Sequence, residues 1–212
     1  MVKNENYIKE EKKMKKASMN VPNTLSMIRV FLVPIFVATL LFMRKIEIWG
    51  FVVPAIVYIL TGLTDMLDGK IARKYNLVTD FGKFIDPLAD KFMVLSSMIA
   101  ILVWMILLGN VTLALVFVWV VLVILLRELG VTSLRLVVAG KSGIVVAASM
   151  LGKIKTVSQM VGTVVIIVEP IIPFFSENHI LSYAFMAVMA FTTLFSGIDY
   201  LKAYLPHIDS NK

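Results

Sequence analysis

Six long apolar runs follow one another along the 212-residue chain. A membrane-spanning helix needs about 20 predominantly apolar residues, because the hydrocarbon core of a bilayer is about 30 Å thick. The runs cover residues 25–43, 49–64, 92–108, 111–126 with a continuation to 138, 157–174 and 181–204. This succession predicts an all-α polytopic membrane protein with six transmembrane helices.

The overall composition excludes a soluble globular domain. Hydrophobic residues make up 59% of the chain and charged residues only 17%, whereas soluble domains average about 45–50% apolar and about 25% charged residues. The chain has no cysteine, which excludes a disulfide framework. Its net charge of +7 is expected where basic residues flank membrane spans and meet anionic lipids. We therefore expect membrane lipids as partners and no nucleic acid.

The distribution of lysine and arginine predicts the orientation in the membrane. With the six spans in this order, 19 of the 21 basic residues fall on one side, and only Arg44 and Lys45 fall on the other. Basic residues are retained in cytoplasmic segments. We expect a multi-pass protein of the cell (inner or plasma) membrane with both termini cytoplasmic. Residues 1–19 form a polar, lysine-rich extension, and residues 20–212 form one membrane domain.

Four aspartates cluster where the second and third runs meet the cytoplasmic side. Asp65 and Asp68 are three residues apart, Asp86 and Asp90 are four apart, and on helices each pair shares one face. Carboxylates this close to the hydrocarbon are costly and mark functional sites. Together they would repel one another unless a cation joined them. Oxygen ligands without a nearby cysteine or histidine favour Mg²⁺ or Mn²⁺, as one or two ions.

Small and basic residues accompany these aspartates. Gly69 and Gly82 let a backbone approach a ligand closely, Ala72 keeps the same helix face slim, and Arg73 is suited to phosphate. An interhelical salt-bridge cluster is the structural alternative, and the number and spacing of these residues make it the weaker one. An ion relay in a transporter is a second alternative, but such proteins often carry internal repeats and acids at mid-membrane, and this sequence has neither.

The same residues resemble the signature of the CDP-alcohol phosphatidyltransferase family, D-x2-D-G-x2-A-R-x8-G-x3-D-x3-D. Every spacing is kept across eight fixed positions: Asp65, Asp68, Gly69, Ala72, Arg73, Gly82, Asp86 and Asp90. The resemblance implies a six-helix, homodimeric membrane enzyme with a cytoplasm-facing active-site cavity, two metal ions, cleavage of a CDP-linked pyrophosphate and release of CMP. It also implies that Asp90 is the general base and that Gly69, Ala72, Arg73 and Gly82 contact the CDP-lipid.

Three further stretches are similar to the phosphatidylglycerophosphate synthase branch of that family. They are residues 20–29, residues 86–91 and residues 152–156 with Gln159 following. The resemblance implies CDP-diacylglycerol and sn-glycerol 3-phosphate as substrates. Cardiolipin synthesis, with phosphatidylglycerol as acceptor, is the runner-up, and serine or inositol phosphate transfer comes third. Asp80 stands where a serine or threonine is expected, next to Thr79, and we interpret it as a non-ligand.

An acceptor that carries a phosphate needs a basic pocket. The candidates on the predicted cytoplasmic side are Arg127, Arg135, Lys153 and Lys155. Their alternative role is ordinary flanking of the spans, and Arg127 could instead pair with Glu128. Arg29 could reach the phosphates of the lipid substrate from the start of the first span, with snorkelling to the interface as its alternative.

Overall fold

The computed structural model describes the backbone of residues 21–75, 79–142 and 149–207, and the side chains of these except 21–22, 66–75, 80, 83, 141–142 and 207. All regular structure within these ranges is helical. The helices are α1 (Val21–Phe42), α2 (Trp49–Tyr75), α3 (Asp80–Leu107), α4 (Val111–Ser142), α5 (Met150–Val168), α6 (Pro173–Ser176) and α7 (Ile180–Tyr204). Short 3₁₀ turns follow α1, α5 and α7 at Met43–Lys45, Glu169–Ile171 and Leu205–His207.

The long helices have the length and composition of membrane spans. Within the described residues, five helical segments are long and apolar enough to cross a bilayer, and Trp49–Asp65 of α2 is a shorter apolar segment. Large apolar side chains also face outward in the middle of these helices. Phe31, Trp119 and Leu126 are between 66% and 77% exposed, which suits contact with lipid and not with water. The prediction of a polytopic, all-α membrane protein is confirmed.

The core lies where α1, α2, α3 and α4 meet. Its largest buried side chains are Phe36, Tyr58, Trp104 and Phe117. The rings of Phe36 and Tyr58 lie 5.1 Å apart and join α1 to α2. Polar side chains contribute to the contact between α5 and α7, where the Gln159 side-chain amide donates to the Thr193 hydroxyl at 3.0 Å. The bundle is therefore stabilised by apolar packing at its centre and by hydrogen bonds between α5 and α7.

The second and third spans extend beyond their apolar runs at the site of the aspartates, since α2 continues to Tyr75 and α3 begins at Asp80. The continuation of the fourth span is confirmed, since α4 extends to Ser142. The fifth span was predicted too late at both ends. Its helix begins at Met150, where the Ser149 hydroxyl accepts from the Gly152 N–H at 3.1 Å, and it gives way to a 3₁₀ turn after Val168.

The two ends of the bundle are built differently. At one end α1, α3 and α5 begin and α2, α4 and α7 end, and we call this the site end. At the opposite end the buried Glu169 carboxylate accepts hydrogen bonds from the N–H groups of Leu181 and Ser182, at 2.7 and 3.1 Å, and from the Ser182 hydroxyl. Glu169 thus satisfies the first N–H groups of α7, which have no partner within the helix.

Candidate active site

The start of α3 is held against the start of α1. The Thr79 hydroxyl is the N-cap of α3, accepting from the Gly82 N–H at 3.0 Å and from the Asn23 side-chain amide at 2.8 Å. A β-carbon at position 82 would lie 2.6 Å from the Asn23 amide oxygen. A larger residue at position 82 would therefore displace the Asn23 side chain and disturb the contact between α1 and the start of α3.

Three of the four predicted metal-binding aspartates are among the described side chains, and all three are partly buried at the site end. Asp65 of α2 forms an ion pair with Arg29, with Nη1 and Oδ1 2.7 Å apart. Asp86 of α3 accepts a hydrogen bond from the Ser26 hydroxyl. Asp90 of α3 interacts electrostatically with both Asp65 and Arg29. The last turns of α2 and the first turns of α3 thus present their carboxylates to one region.

The other motif positions on α2 lie outside the described side chains: Asp68, Gly69, Ala72 and Arg73. The side chain of Asp80, the first residue of α3, also lies outside them. Within the described part of the chain, no three histidine, cysteine or acidic side chains gather closely enough to hold a metal. The donor chemistry nevertheless suits the predicted ions, because Asp65, Asp86 and Asp90 offer oxygen only. The four-carboxylate metal site stays a prediction.

Arg29 does not snorkel to the interface, because it is only 1% exposed. Its guanidinium is directed into the bundle, where the Asp65 carboxylate balances its charge. A buried charge is tolerated when it is paired and hydrogen-bonded. The alternative of an interfacial arginine is therefore wrong, and binding of lipid phosphates by Arg29 stays a prediction.

A second charged group lies between α4, α5 and α7. The buried Glu128 carboxylate pairs with Lys155 of α5, and the same oxygen lies 3.0 Å from Nη1 of Arg127. Arg127 also donates to the Ser196 hydroxyl at 2.8 Å and lies 5.1 Å from the centre of the Tyr200 ring. Arg127 and Lys155 are thus brought together around one acid, which leaves a net charge of +1 on these three groups.

The remaining acceptor candidates lie elsewhere. Arg135 and Lys153 are exposed, and neither belongs to the buried group around Glu128. Lys153 and Lys155 stand two residues apart on α5, so they fall on different faces of the helix. Among the four predicted basic residues, the structure therefore assembles Arg127 with Lys155 and leaves Arg135 and Lys153 on the surface.

The two charged groups lie within electrostatic range of each other. Asp90 interacts electrostatically with Lys155 and with Glu128 as well as with Asp65. A carboxylate that could accept a proton therefore lies within electrostatic range of a buried cation that could attract a phosphate. This arrangement suits the transfer of a group to a hydroxyl on a molecule that carries a phosphate.

An apolar groove lies beside this region. It has a volume of about 290 Å³ and runs between α2 and α5, with Gly62 and Leu63 on one side and Met160 and Val164 on the other. Gly62 is three residues, about one helical turn, before Asp65 on α2, so the groove lies near the position of that carboxylate along the helix. Its size and lining are suited to a hydrocarbon chain.

Sequence reasoning missed the role of Ser26 and named Glu128 only as a partner for Arg127, a pairing that the structure confirms. Ser26 stands midway between Asn23 and Arg29, and polar residues at three-residue intervals at the start of an apolar run indicate a face that is buried against polar partners. Glu128 is an acid inside a predicted span, between Leu126 and Leu129. An ionisable residue at such depth is a functional candidate by default, and this signal could have identified it.

Comparison with known proteins agrees with the site. The CDP-alcohol phosphatidyltransferase family model matches residues 19–195. A Bacillus subtilis CDP-diacylglycerol–glycerol-3-phosphate 3-phosphatidyltransferase is 39% identical over 190 residues, which cover 85% of this chain and 93% of the relative. A Pseudomonas fluorescens protein of the same name is 34% identical over 198 residues, covering 91% and 94%.

A probable phosphatidylglycerophosphate synthase of Mycobacterium tuberculosis is 33% identical over 189 residues, which cover 89% of this chain and 83% of the relative. The family-model match spans nearly the whole membrane bundle and covers the segment from Asp65 to Asp90 that holds the eight signature positions. The chain therefore belongs to the CDP-alcohol phosphatidyltransferase family.

Proposed function

We propose that this protein transfers the phosphatidyl group of CDP-diacylglycerol to sn-glycerol 3-phosphate, giving phosphatidylglycerophosphate and CMP. The observation that carries the proposal is that Asp90 lies within electrostatic range of both Asp65 and the Lys155–Glu128 pair. Relatives that carry the name of this activity support the choice of substrates.

Asp90 acts as the general base in this proposal. A hydroxyl of glycerol 3-phosphate attacks the phosphatidyl phosphorus, its proton passes to the Asp90 carboxylate, and the bond from that phosphorus to the oxygen of CMP breaks. General-base catalysis by a positioned carboxylate contributes about 10²–10⁴-fold in rate. Asp90 lies within electrostatic range of both Asp65 and Lys155, which supports this role, because Asp65 belongs to the predicted metal site and Lys155 to the predicted acceptor pocket.

Asp65, Asp68, Asp86 and Asp90 would hold two Mg²⁺ or Mn²⁺ ions. When bound, such ions neutralise the pyrophosphate and stabilise the leaving CMP. Gly69, Ala72, Arg73 and Gly82 would contact the CDP moiety. The lipid chains would lie in the groove between α2 and α5, whose apolar lining and distance of one turn from Asp65 support this assignment.

Arg127 and Lys155 would bind the phosphate of the acceptor. The net charge of +1 on the buried group with Glu128 supports this role, since a buried excess charge is stabilised by a counter-ion. Exposed Arg135 and Lys153 would act at longer range by attracting the anionic substrate.

The orientation in the membrane and the homodimeric assembly are part of the same proposal. We propose that the site end faces the cytoplasm, which the excess of basic residues on that side supports.

The homodimer is supported by the family resemblance. Chemical crosslinking of the protein in its native membranes should give a dimer, and a monomer under all crosslinking conditions would contradict it.

An acceptor panel tests the function. Purified protein in detergent receives CDP-diacylglycerol and Mg²⁺ with glycerol 3-phosphate, phosphatidylglycerol, serine or inositol phosphate, and CMP release is measured. We expect release with glycerol 3-phosphate alone. Release with phosphatidylglycerol instead would identify a cardiolipin synthase, and no release with any acceptor would contradict the proposal.

Chelation tests the metal. EDTA should abolish CMP release, because four carboxylates without a cation repel the pyrophosphate, and added Mg²⁺ or Mn²⁺ in excess should restore it. Ca²⁺ added at the same excess is the control, because Ca²⁺ prefers more ligands and longer metal–oxygen distances than Mg²⁺. Full activity in EDTA would rule out metal dependence.

A further inference from the structure

The first two turns of α1 carry a polar face within an otherwise apolar helix. Asn23, Ser26 and Arg29 follow at intervals of three residues and are at most 1% exposed. The same buried stripe continues along the helix with Val33, Phe36 and Leu40, which pack in the core. The stripe therefore changes from apolar to polar where α1 enters the site end.

Each residue of this polar face contacts a residue in the segment between Asp65 and Asp90 that holds the signature motif. Arg29 pairs with Asp65 at 2.7 Å, Ser26 donates to Asp86, and Asn23 donates to the N-cap Thr79 at 2.8 Å. The face thus touches α2 and α3 together, on the two helices that carry the predicted metal-binding carboxylates. In both carboxylates the contacted atom is Oδ1.

Stability alone is a weak reason for these contacts. Replacing a buried ion pair with apolar side chains of similar size is often neutral or stabilising, and α1 already packs in this way from Val33 onward. Metal-binding carboxylates, in contrast, need hydrogen-bond partners that fix their orientation, and the loss of such a partner typically costs 10–100-fold in metal affinity.

We propose that Ser26 and Arg29 are positioning residues, which hold the Asp86 and Asp65 carboxylates in the orientation that binds the divalent cations. A carboxylate held at one oxygen cannot rotate freely about its last bond, so the direction of its second oxygen is fixed as well. Asn23 contributes indirectly, because it fixes Thr79 and with it the start of α3. This inference rests on the proposed metal site and not on the identity of the acceptor.

Binding of Mn²⁺ to the purified protein, without substrates, tests the proposal. Free Mn²⁺ is followed by electron paramagnetic resonance for the parent protein, for Ser26→Ala and for the control Ser97→Ala. Ser97 is an equally buried serine of α3 that donates to the Val94 carbonyl of its own helix. We expect Ser26→Ala to weaken Mn²⁺ binding about 10- to 100-fold and Ser97→Ala to leave it unchanged, with similar melting temperatures.

CMP release gives a second measurement. For Ser26→Ala the Mn²⁺ concentration at half-maximal rate should rise by the same factor, and excess Mn²⁺ should restore kcat. An unchanged Mn²⁺ affinity in Ser26→Ala would overturn the role of Ser26, even if the acceptor panel supports phosphatidylglycerophosphate synthesis. Absence of Mn²⁺ binding in the parent protein would overturn the metal site and this inference together.

Arg29→Met separates positioning from charge. The substitution removes a positive charge beside Asp65, which by electrostatics alone would strengthen cation binding. If Arg29 positions Asp65, Mn²⁺ binding weakens in spite of that charge, and Arg29→Lys, which keeps a donor, gives an intermediate affinity. Stronger binding by Arg29→Met would overturn the positioning role of Arg29.

Discussion

At the scale of single residues, Asp90 is the group on which the proposed chemistry depends most directly. Its carboxylate lies within electrostatic range of Asp65 and Arg29 and also of Lys155 and Glu128. A change at this position therefore separates catalysis from folding.

We predict that Asp90→Asn lowers kcat for CMP release by at least about 100-fold, because asparagine cannot accept the proton. The yield of folded protein in the membrane should change little, since the amide has nearly the same shape. Asp199→Asn, a partly buried acid of α7, is the matched control and should keep normal activity. Near-normal CMP release by Asp90→Asn would show that another group is the base.

Two lysines of α5 provide a matched pair for the acceptor pocket. Lys155 is buried against Glu128, whereas Lys153 is exposed. Lys155→Met should raise KM for glycerol 3-phosphate about 10- to 100-fold, the cost of a lost hydrogen bond to a charged group, and leave KM for CDP-diacylglycerol unchanged. Glu128 keeps Arg127 as a partner, so the protein should still fold.

Lys153→Met is the control for that measurement and should change KM for glycerol 3-phosphate less than about threefold, because an exposed cation is screened by water and salt. Equal effects of the two substitutions would indicate that the cations act through the overall field and not through a pocket.

How far the sequence predicts single residues depends on whether their partners are local. The spacing of Asp65, Asp86 and Asp90 follows from helix geometry, so their grouping could be expected from the chain alone. The pairing of Ser26 with Asp86 joins residues 60 positions apart, and it depends on how α1 packs. Burial of Lys155 but not Lys153 likewise depends on which face of α5 meets α4.

At the scale of elements, Glu169 is an acid with a role in building the fold and no place in the proposed reaction. It lies at the end opposite to the site and accepts from Leu181 and Ser182 at the start of α7. A negative charge at a helix N-terminus is stabilising, by up to about 2 kcal/mol in partly buried geometries.

We predict that Glu169→Gln destabilises the protein by about 1–2 kcal/mol, which for a chain of this size lowers Tm by roughly 2–8 °C. The activity at 25 °C should be unchanged, because α7 reaches the site with its other end. Glu177→Gln, at an exposed acid of the same connection, serves as the control and should leave Tm unchanged. A loss of activity without a change in Tm would contradict a structural role for Glu169.

The element bounds show what hydrophobicity can and cannot predict. Apolar runs identified all six long helices, because each must match the thickness of a bilayer. They failed at the start of α5, where Lys153 and Lys155 interrupt the apolar pattern although the helix has already begun at Met150. The Ser149 cap and the partner of Lys155 on α4 stabilise those polar turns, and the second of these contacts is not local in sequence.

At the scale of the whole molecule, the polar residues are divided between two ends with different tasks. The site end combines the carboxylates of α2 and α3, the polar face of α1 and the Glu128 group. The charges lie at the site end, and the apolar groove beside α2 offers a separate approach near Asp65. Water-soluble substrates and the lipid substrate would thus reach the same carboxylates by different routes.

The absence of cysteine makes the orientation directly testable. We predict that Glu177→Cys, at an exposed position opposite to the site end, reacts with a membrane-impermeant maleimide added to intact cells. Lys202→Cys, exposed near the end of α7 at the site end, should react only after the membrane is permeabilised, because basic residues are retained in cytoplasmic segments. The parent protein controls for background labelling, and CMP release by each variant verifies that it is folded. The reverse labelling pattern would place the carboxylates outside the cytoplasm, away from a nucleotide-activated lipid and a phosphorylated acceptor made inside the cell.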